Sequence, residues 1–195
     1  MDVIESSRLE ELLFAVGELL DEREETASIV VVGGASLNLS GLIQRATDDV
    51  DVIARLEEGE EKTELVPPDP MPEALQDAVE RVRRDFNLKH GWLNTAVANQ
   101  WETSLPPSLT EDLTWRTYGG LRVGIAGRRP LIALKLLAAV DQGGTQSVHY
   151  QDLVRLDPTE EELEEAREWA RSEDPSPIVA RHIDHVIKHV RKDVE

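Results

Sequence analysis

Residues 28–36 read Ser28-Ile29-Val30-Val31-Val32-Gly33-Gly34-Ala35-Ser36, and the chain then runs through Arg45, Ala46, Thr47 and Asp48 to Asp49-Val50-Asp51-Val52-Ile53. The apolar run ending at Val32 is β-branched from Ile29 and closed by glycine, the pattern of a strand buried on both faces. Gly33 and Gly34 carry no side chains, so the chain turns sharply there and its N–H groups approach an anion closely. A short helix is expected over Ala35–Leu39, with the Ser36 hydroxyl at its start as a donor to a phosphate oxygen. Asp49 and Asp51 alternate with Val50 and Val52, so a strand places both carboxylates on one face and both valines in the core. Two neighbouring carboxylates repel one another unless a cation lies between them, and Mg²⁺ suits such a pair. Taken separately, a Gly-Gly after a strand is more often a plain tight turn. The acid pair alone reads equally as a solvated strand end.

Outward from this stretch, Leu9, Leu12, Leu13, Val16, Leu19 and Leu20 recur at helical spacing, which predicts an amphipathic helix from about Ser6 to Arg23 capped by Ser6 or Ser7. Glu57 to Pro70 is charged and proline-rich and reads as a surface loop, with at most a short strand at Glu64-Leu65-Val66. A helix is expected over Pro72–Phe86, then a break at Leu105-Pro106-Pro107 and a hairpin about Gly119-Gly120 ending in Leu121–Ile125. From Pro130 the pattern is helical throughout: Pro130–Val140 around Lys135, Val148–Leu156, a helix opened by a Thr159/Glu162 capping box, and Pro177–Lys192. The expected architecture is α/β (α+β): residues 1–127 form a mixed sheet flanked by helices, and residues 128–195 form a helical part packed on it.

The 195 residues carry a formal charge of −18, with 39 acids against 21 bases, so the surface as a whole repels nucleic-acid backbones. This excess reads as a solubilising surface or as adaptation to high salt. Cysteine is absent, which excludes disulfides and thiolate metal sites. No apolar run long enough for a membrane span and no leader pattern at Met1-Asp2-Val3-Ile4-Glu5 are visible, so a cytoplasmic location is expected. Arg181, His182, His185, Lys188, His189, Arg191 and Lys192 make the last helix locally basic. That is either an RNA-facing patch or the cationic end that a helix dipole favours.

The segment GGASLNLSGLIQRATDDVDV resembles the signature of the nucleotidyltransferase (polymerase-β-like) superfamily, in which a hydrophobic strand, Gly-Gly, a short helix and an Asp-x-Asp strand follow one another. With Arg45 and Thr47 ahead of the acids, with LIALKLLAAV around Lys135 and with His149-Tyr150-Gln151-Asp152-Leu153 after it, the chain is similar to the AbiEii-type toxin branch. The resemblance spans roughly Ile29 to Leu153. It implies transfer of NMP from an NTP to an RNA (tRNA) or protein hydroxyl, plausibly within a toxin–antitoxin pair with an antitoxin as partner. Gly33, Gly34, Ser36, Arg45, Thr47 and Asp152 would bind nucleotide, and Asp49 and Asp51 would hold Mg²⁺ as metal ligands and catalytic acids. Lys135 would neutralise the leaving phosphates, anchored by Asp152.

Each of these residues has a plainer reading as well. Lys135 on an apolar helix reaches solvent by extending its stem, Asp152 is a helix-surface acid, and His149 is a packed or exposed histidine. Trp92 and Trp101, near Asn94, would stack a base or fill the core. Active superfamily members carry a third carboxylate on a later strand. The strand expected to hold it, Leu121–Ile125, has none, and Glu111, Asp112 and Asp141 are the nearby candidates. Without that acid the alternative is a catalytically degenerate binding module or antitoxin on the same fold.

Overall fold

A computed structural model of the chain describes residues 4–58 and 63–194. Helix α1 (Ser6–Asp21) follows directly from its leucine spacing: Leu9, Leu12, Leu13, Val16 and Leu20 are all completely buried. Its N-cap is Glu5, with no side-chain cap, rather than the expected Ser6 or Ser7. The entry is fixed instead by an isolated bridge, in which Ile4 N–H donates to Thr47 O (2.7 Å) and Thr47 N–H donates to Ile4 O (3.0 Å). Gly17 lets α1 lie against the later hairpin, because a Cβ there would overlap the Tyr118 carbonyl, and Gly17 O accepts from Gly120 N–H at 3.0 Å.

Strand β1 (Ala27–Val32) lies at the centre of one mixed sheet. It pairs antiparallel with β2 (Val50–Glu58), Val32 opposite Asp51, and parallel with β6 (Leu121–Ala126), Val31 opposite Ile125. A central position covered on both faces explains why its apolar run is unbroken. Helix α2 (Gly33–Leu39) connects β1 to β2, and β5 (Leu113–Tyr118) forms the expected hairpin with β6.

The stretch read as a surface loop holds more strand than expected, and the short strand foreseen at Glu64-Leu65-Val66 forms. Strand β2 continues to Glu58 and turns back as β3 (Thr63–Val66), antiparallel, with Arg55 opposite Val66 and Glu57 opposite Glu64. Backbone pairing satisfies this edge hairpin, so its charged side chains leave no apolar signature; residues 59–62 lie outside the described residues. After α3 (Glu73–Asp85), a two-residue strand β4 (Leu93–Asn94) runs parallel to the start of β2. The sheet order is β3-β2-β1-β6-β5, with β4 also on β2. The core beneath it joins Ile29, Val31, Val50, Val52, Val123 and Ile125 to the inward faces of α1 and α3.

The remaining helices are α4 (Arg128–Asp141), α5 (Val148–Leu156), α6 (Glu160–Glu173) and α7 (Pro177–Val194). They bury Leu131, Ile132, Leu136, Leu153, Trp169, Ile183, Val186, Ile187 and Val190. Helix α4 begins at Arg128, two residues before Pro130, a position within the first turn that proline tolerates. Two compact units result: residues 1–102 with 113–126, and residues 103–112 with 127–195. Against the expected division after residue 127, the segment Thr103–Asp112 goes with the helices. Its Leu109 is completely buried, Ser104 Oγ accepts from Trp169 Nε1–H (3.2 Å), and Asp112 O accepts from Gly127 N–H (2.7 Å). Among the described residues no helix is long and apolar enough to cross a membrane.

The capping box forms at α6. Glu162 N–H donates to Thr159 Oγ1 (3.2 Å) and Thr159 N–H to Glu162 Oε2 (2.9 Å), while Arg128 Nε–H donates to Glu162 Oε1 (2.7 Å). Burial pushes the Glu162 carboxyl up, but the Arg128 guanidinium and the Thr159 bonds outweigh it and hold it below the ordinary glutamate range. A depressed carboxyl contributes stability above its unfolded pKa and loses it as pH falls through the lower folded value. Thermal unfolding across pH is therefore expected to show Glu162→Gln less stable than wild type at neutral pH. The gap narrows as the solution is acidified below the ordinary glutamate range; a gap constant with pH would contradict this linkage.

Candidate active site

The turn after β1 is built around absent side chains. Gly33 adopts φ +68, and a Cβ there would come within 2.5 Å of Asp51 Oδ2. A Cβ at Gly34 would collide with Thr47 Oγ1 and lie 3.2 Å from a terminal guanidinium nitrogen of Arg45. A carboxylate, a hydroxyl and a guanidinium thus close on bare backbone at two consecutive residues. The loop that brings them is tied at several points. Asn38 Nδ2 donates to Arg45 O (2.7 Å) and Arg45 N–H to Asn38 Oδ1 (2.9 Å). Thr47 is buried, bridged to Ile4, and its Oγ1–H donates to Asp49 O (3.1 Å). Val50 N–H donates to Trp92 O at 2.7 Å, where β2 begins.

Val50 and Val52 are completely buried while Asp49 and Asp51 keep partial exposure, so the expected alternation holds. Lys89, on the loop between α3 and β4, places Nζ 3.6 Å from Asp49 Oδ2, both side chains partly exposed. Strand β4 sets Asn94 opposite Asp51. The strand beside the acid pair is therefore β4 rather than the expected Leu121–Ile125 strand, which pairs with β1 on its other side, and the residue level with Asp51 is an amide. Asn94 Oδ1 accepts from Ala96 N–H (2.8 Å) and Nδ2 donates to Gly91 O (3.2 Å), which folds the loop around it. Among the described residues no three His, Cys, Asp or Glu side chains group to hold a metal ion. Lys89 stands in no motif, and Asn38, though inside the Gly-Gly to Asp-x-Asp segment, is not one of its defining residues, so both roles come from chain geometry alone.

Ser36 is completely buried, and its hydroxyl donates to Ala126 O (2.7 Å), so in this structure it braces α2 to the end of β6. Lys135 and Asp152 meet within the helical unit as an ion pair of 2.8 Å, with side chains 5% and 1% exposed. His149 Nε2 lies 3.1 Å from Gln142 Oε1. Trp92 belongs to the core, 1% exposed, with Nε1–H donating to Val79 O (3.1 Å), and Trp101 Nε1–H donates to Ile53 O (2.6 Å). Of the other acids considered, Asp112 Oδ2 accepts from Arg129 N–H (3.2 Å) at the start of α4. Glu111 lines a cleft of about 540 Å³ with Arg129 and Trp169. Asp141 ends α4, where burial and then the nearby Asp174 push its carboxyl up. All three belong to the helical unit.

Residues 7–88 match the DUF6036 family, described as a nucleotidyltransferase of unknown function. This range contains Gly33, Gly34, Arg45, Thr47, Asp49 and Asp51 and stops just before Lys89. No curated protein matches the chain. Among solved structures, the crystal structure of an antigenic nucleotidyltransferase-like protein from Paracoccidioides brasiliensis is similar, with 15% identity and a TM-score of 0.46, over 94% of this chain and 95% of that one.

The contact at Gly33 separates two effects that a substitution would combine. Gly41 has φ +75 but nothing within 4 Å of a Cβ, whereas Gly33 has φ +68 and Asp51 in the way. Left-handed backbone alone costs a non-glycine residue roughly 1–3 kcal/mol. In urea unfolding, Gly41→Ala is expected to lose about that much and Gly33→Ala clearly more, since it also displaces the carboxylate. Equal losses would show that the Asp51 approach is not tight.

Proposed function

We propose that the chain is a Mg²⁺-dependent nucleotidyltransferase that moves NMP from an NTP to a hydroxyl of an RNA, such as tRNA, or of a protein, as the toxin of a toxin–antitoxin pair. The observation that carries this reading is the Gly33–Gly34 turn closed upon Asp51, Thr47 and Arg45, in the segment similar to a nucleotidyltransferase family. Two carboxylates on one strand face suit Mg²⁺, which takes one or two carboxylates and completes its shell with water and phosphate oxygens. When bound, the ion supplies charge neutralisation at the phosphates. The backbone N–H groups of Gly33 and Gly34, which carry no side chains of their own, receive phosphate oxygens, with the Arg45 guanidinium beside them. Ser36 positions this turn through Ala126 rather than touching nucleotide. Lys89, whose charge balances Asp49 in this structure, turns to the phosphates once the carboxylates are neutralised. In the transfer the acceptor oxygen bonds to the α-phosphorus, the bond from that phosphorus to the bridging oxygen breaks, pyrophosphate leaves, and the acceptor proton passes to solvent.

In this reading Lys135, ion-paired to Asp152 within the helical unit, is required for transfer. Replacing both members of a buried pair by apolar residues of similar volume is often neutral or stabilising by about 1–4 kcal/mol. The double variant Lys135→Met, Asp152→Leu is therefore expected to stay folded by circular dichroism and to lose transfer; a folded and fully active double variant would restrict the pair to packing.

A second reading, a catalytically degenerate binding module or antitoxin on the same fold, is favoured by Asn94, which sets a neutral amide where a third carboxylate would stand beside Asp51. Incubation with each labelled NTP, Mg²⁺ and total RNA or lysate separates the two. The enzyme is expected to label an acceptor with at least one nucleotide and to fall to background in Asp51→Asn. Lys89→Ala is expected to weaken Mg-NTP binding about tenfold, equivalent to the ~1.5 kcal/mol of one charge-assisted contact. Nucleotide binding by calorimetry without transfer from any of the four NTPs would establish the binding module instead.

A further inference from the structure

We infer that the outer face of α7 carries a two-histidine site for a borderline transition-metal ion, Zn²⁺, Ni²⁺ or Cu²⁺, independent of the acid pair. Helix α7 turns Ile183, Val186, Ile187 and Val190 inward, which leaves His185 exposed and His189 at the margin of the buried face. The two imidazoles stand one turn apart with ring centroids 4.3 Å from each other, tilted by 46°. Residues at this spacing project from the same side of a helix, and His-x-x-x-His on a helix is the arrangement in which two imidazoles share one zinc ion.

The orientation of the His189 ring is set by its surroundings. Its Nδ1 lies 2.9 Å from the backbone carbonyl of His185. A carbonyl oxygen only accepts, so Nδ1 is the donor in this contact, which leaves Nε2, the nitrogen directed away from the backbone, as the one available to a metal ion. A ring nitrogen held by a backbone carbonyl is the outer support that metal-bound histidines commonly have. Neutral imidazole selects Zn²⁺, Ni²⁺ and Cu²⁺ over the oxygen-seeking Mg²⁺, which separates this site chemically from Asp49 and Asp51.

The neighbours define what the site does. Val186, buried, follows His185 where a hydrolytic zinc helix places its glutamate base, so the pair binds an ion without activating water through that position. Asp184 is engaged by Arg167 (2.8 Å) and Arg171 (2.9 Å) and is not a third ligand. His182 stands a further turn back, exposed, and Lys188 is exposed between the two histidines in sequence. Asp193, one turn beyond His189, accepts from the Tyr150 hydroxyl (2.7 Å), so the ion takes the two histidines as protein ligands and water completes its shell.

Zinc titration of the full chain by calorimetry, in a non-chelating buffer, tests this assignment. One equivalent is expected to bind, His185→Ala and His189→Ala are each expected to weaken it by at least about tenfold, and His182→Ala and Asp51→Asn are expected to leave it unchanged. In a parallel measurement, substoichiometric Cu²⁺ should broaden the ring-proton resonances of His185 and His189 before those of His90 and His149. Unchanged affinity in both His185→Ala and His189→Ala would overturn the assignment, as would loss of zinc in Asp51→Asn or in His182→Ala alone. Circular dichroism confirms that the variants remain helical.

Discussion

The Asp51 carboxylate occupies the space that a side chain at residue 33 would need, and the geometry of the sheet-bearing unit follows from that contact. For the two to meet, β1 must end at Val32, β2 must run antiparallel to it with Val32 opposite Asp51, and the connection must leave both residues at the same sheet edge. The connecting loop is correspondingly over-determined. Asn38 bonds it from α2, Ile4 from the start of the chain and Trp92 from the far side of α3. These bonds come from three distant stretches of sequence, so the loop resists local opening more than its length suggests.

Electrostatics adds a second layer. In a chain of net charge −18, a cation near a carboxylate lowers the cost of placing like charges together, and the structure supplies Lys89 at Asp49 and Arg45 at Gly34. Arg45 and Lys89 enter from different segments of the unit, one before β2 and one after α3. The turn and the acid pair therefore form a mixed-sign site within an acidic protein.

The residues gathered at this turn are legible in the sequence because they lie close together along the chain. Gly33, Gly34, Arg45, Thr47, Asp49 and Asp51 fall within one strand–turn–helix–strand passage, where local period and residue type carry the information. Helices α1 and α3 to α7 were legible for the same reason, their apolar spacing being long and regular. What escaped was set by long-range pairing. Strand β4 is two residues long, too short for any period, and only its pairing with β2 puts Asn94 beside Asp51. Strand β3 was legible only as a short strand at Glu64-Leu65-Val66, and its pairing with β2 was hidden by charged side chains because backbone bonds hold an edge hairpin. The direction of the Ser36 hydroxyl depends on where β6 ends, ninety residues on.

The segment Thr103–Asp112 has an implication for how the chain is made. It leaves the growing end before β5 and β6, yet its Leu109 is completely buried in the helical unit, and the residues that hold it, Gly127, Arg129, Trp169 and Glu173, come later. During synthesis this piece must stay unsatisfied while the hairpin that follows it folds into a different unit. Removing the residues after 126 would therefore not excise one unit cleanly. It would leave an apolar stretch between Trp101 and β5 without its counterpart, and a fragment starting at Gly127 would lack the strip that Trp169 and Glu173 hold.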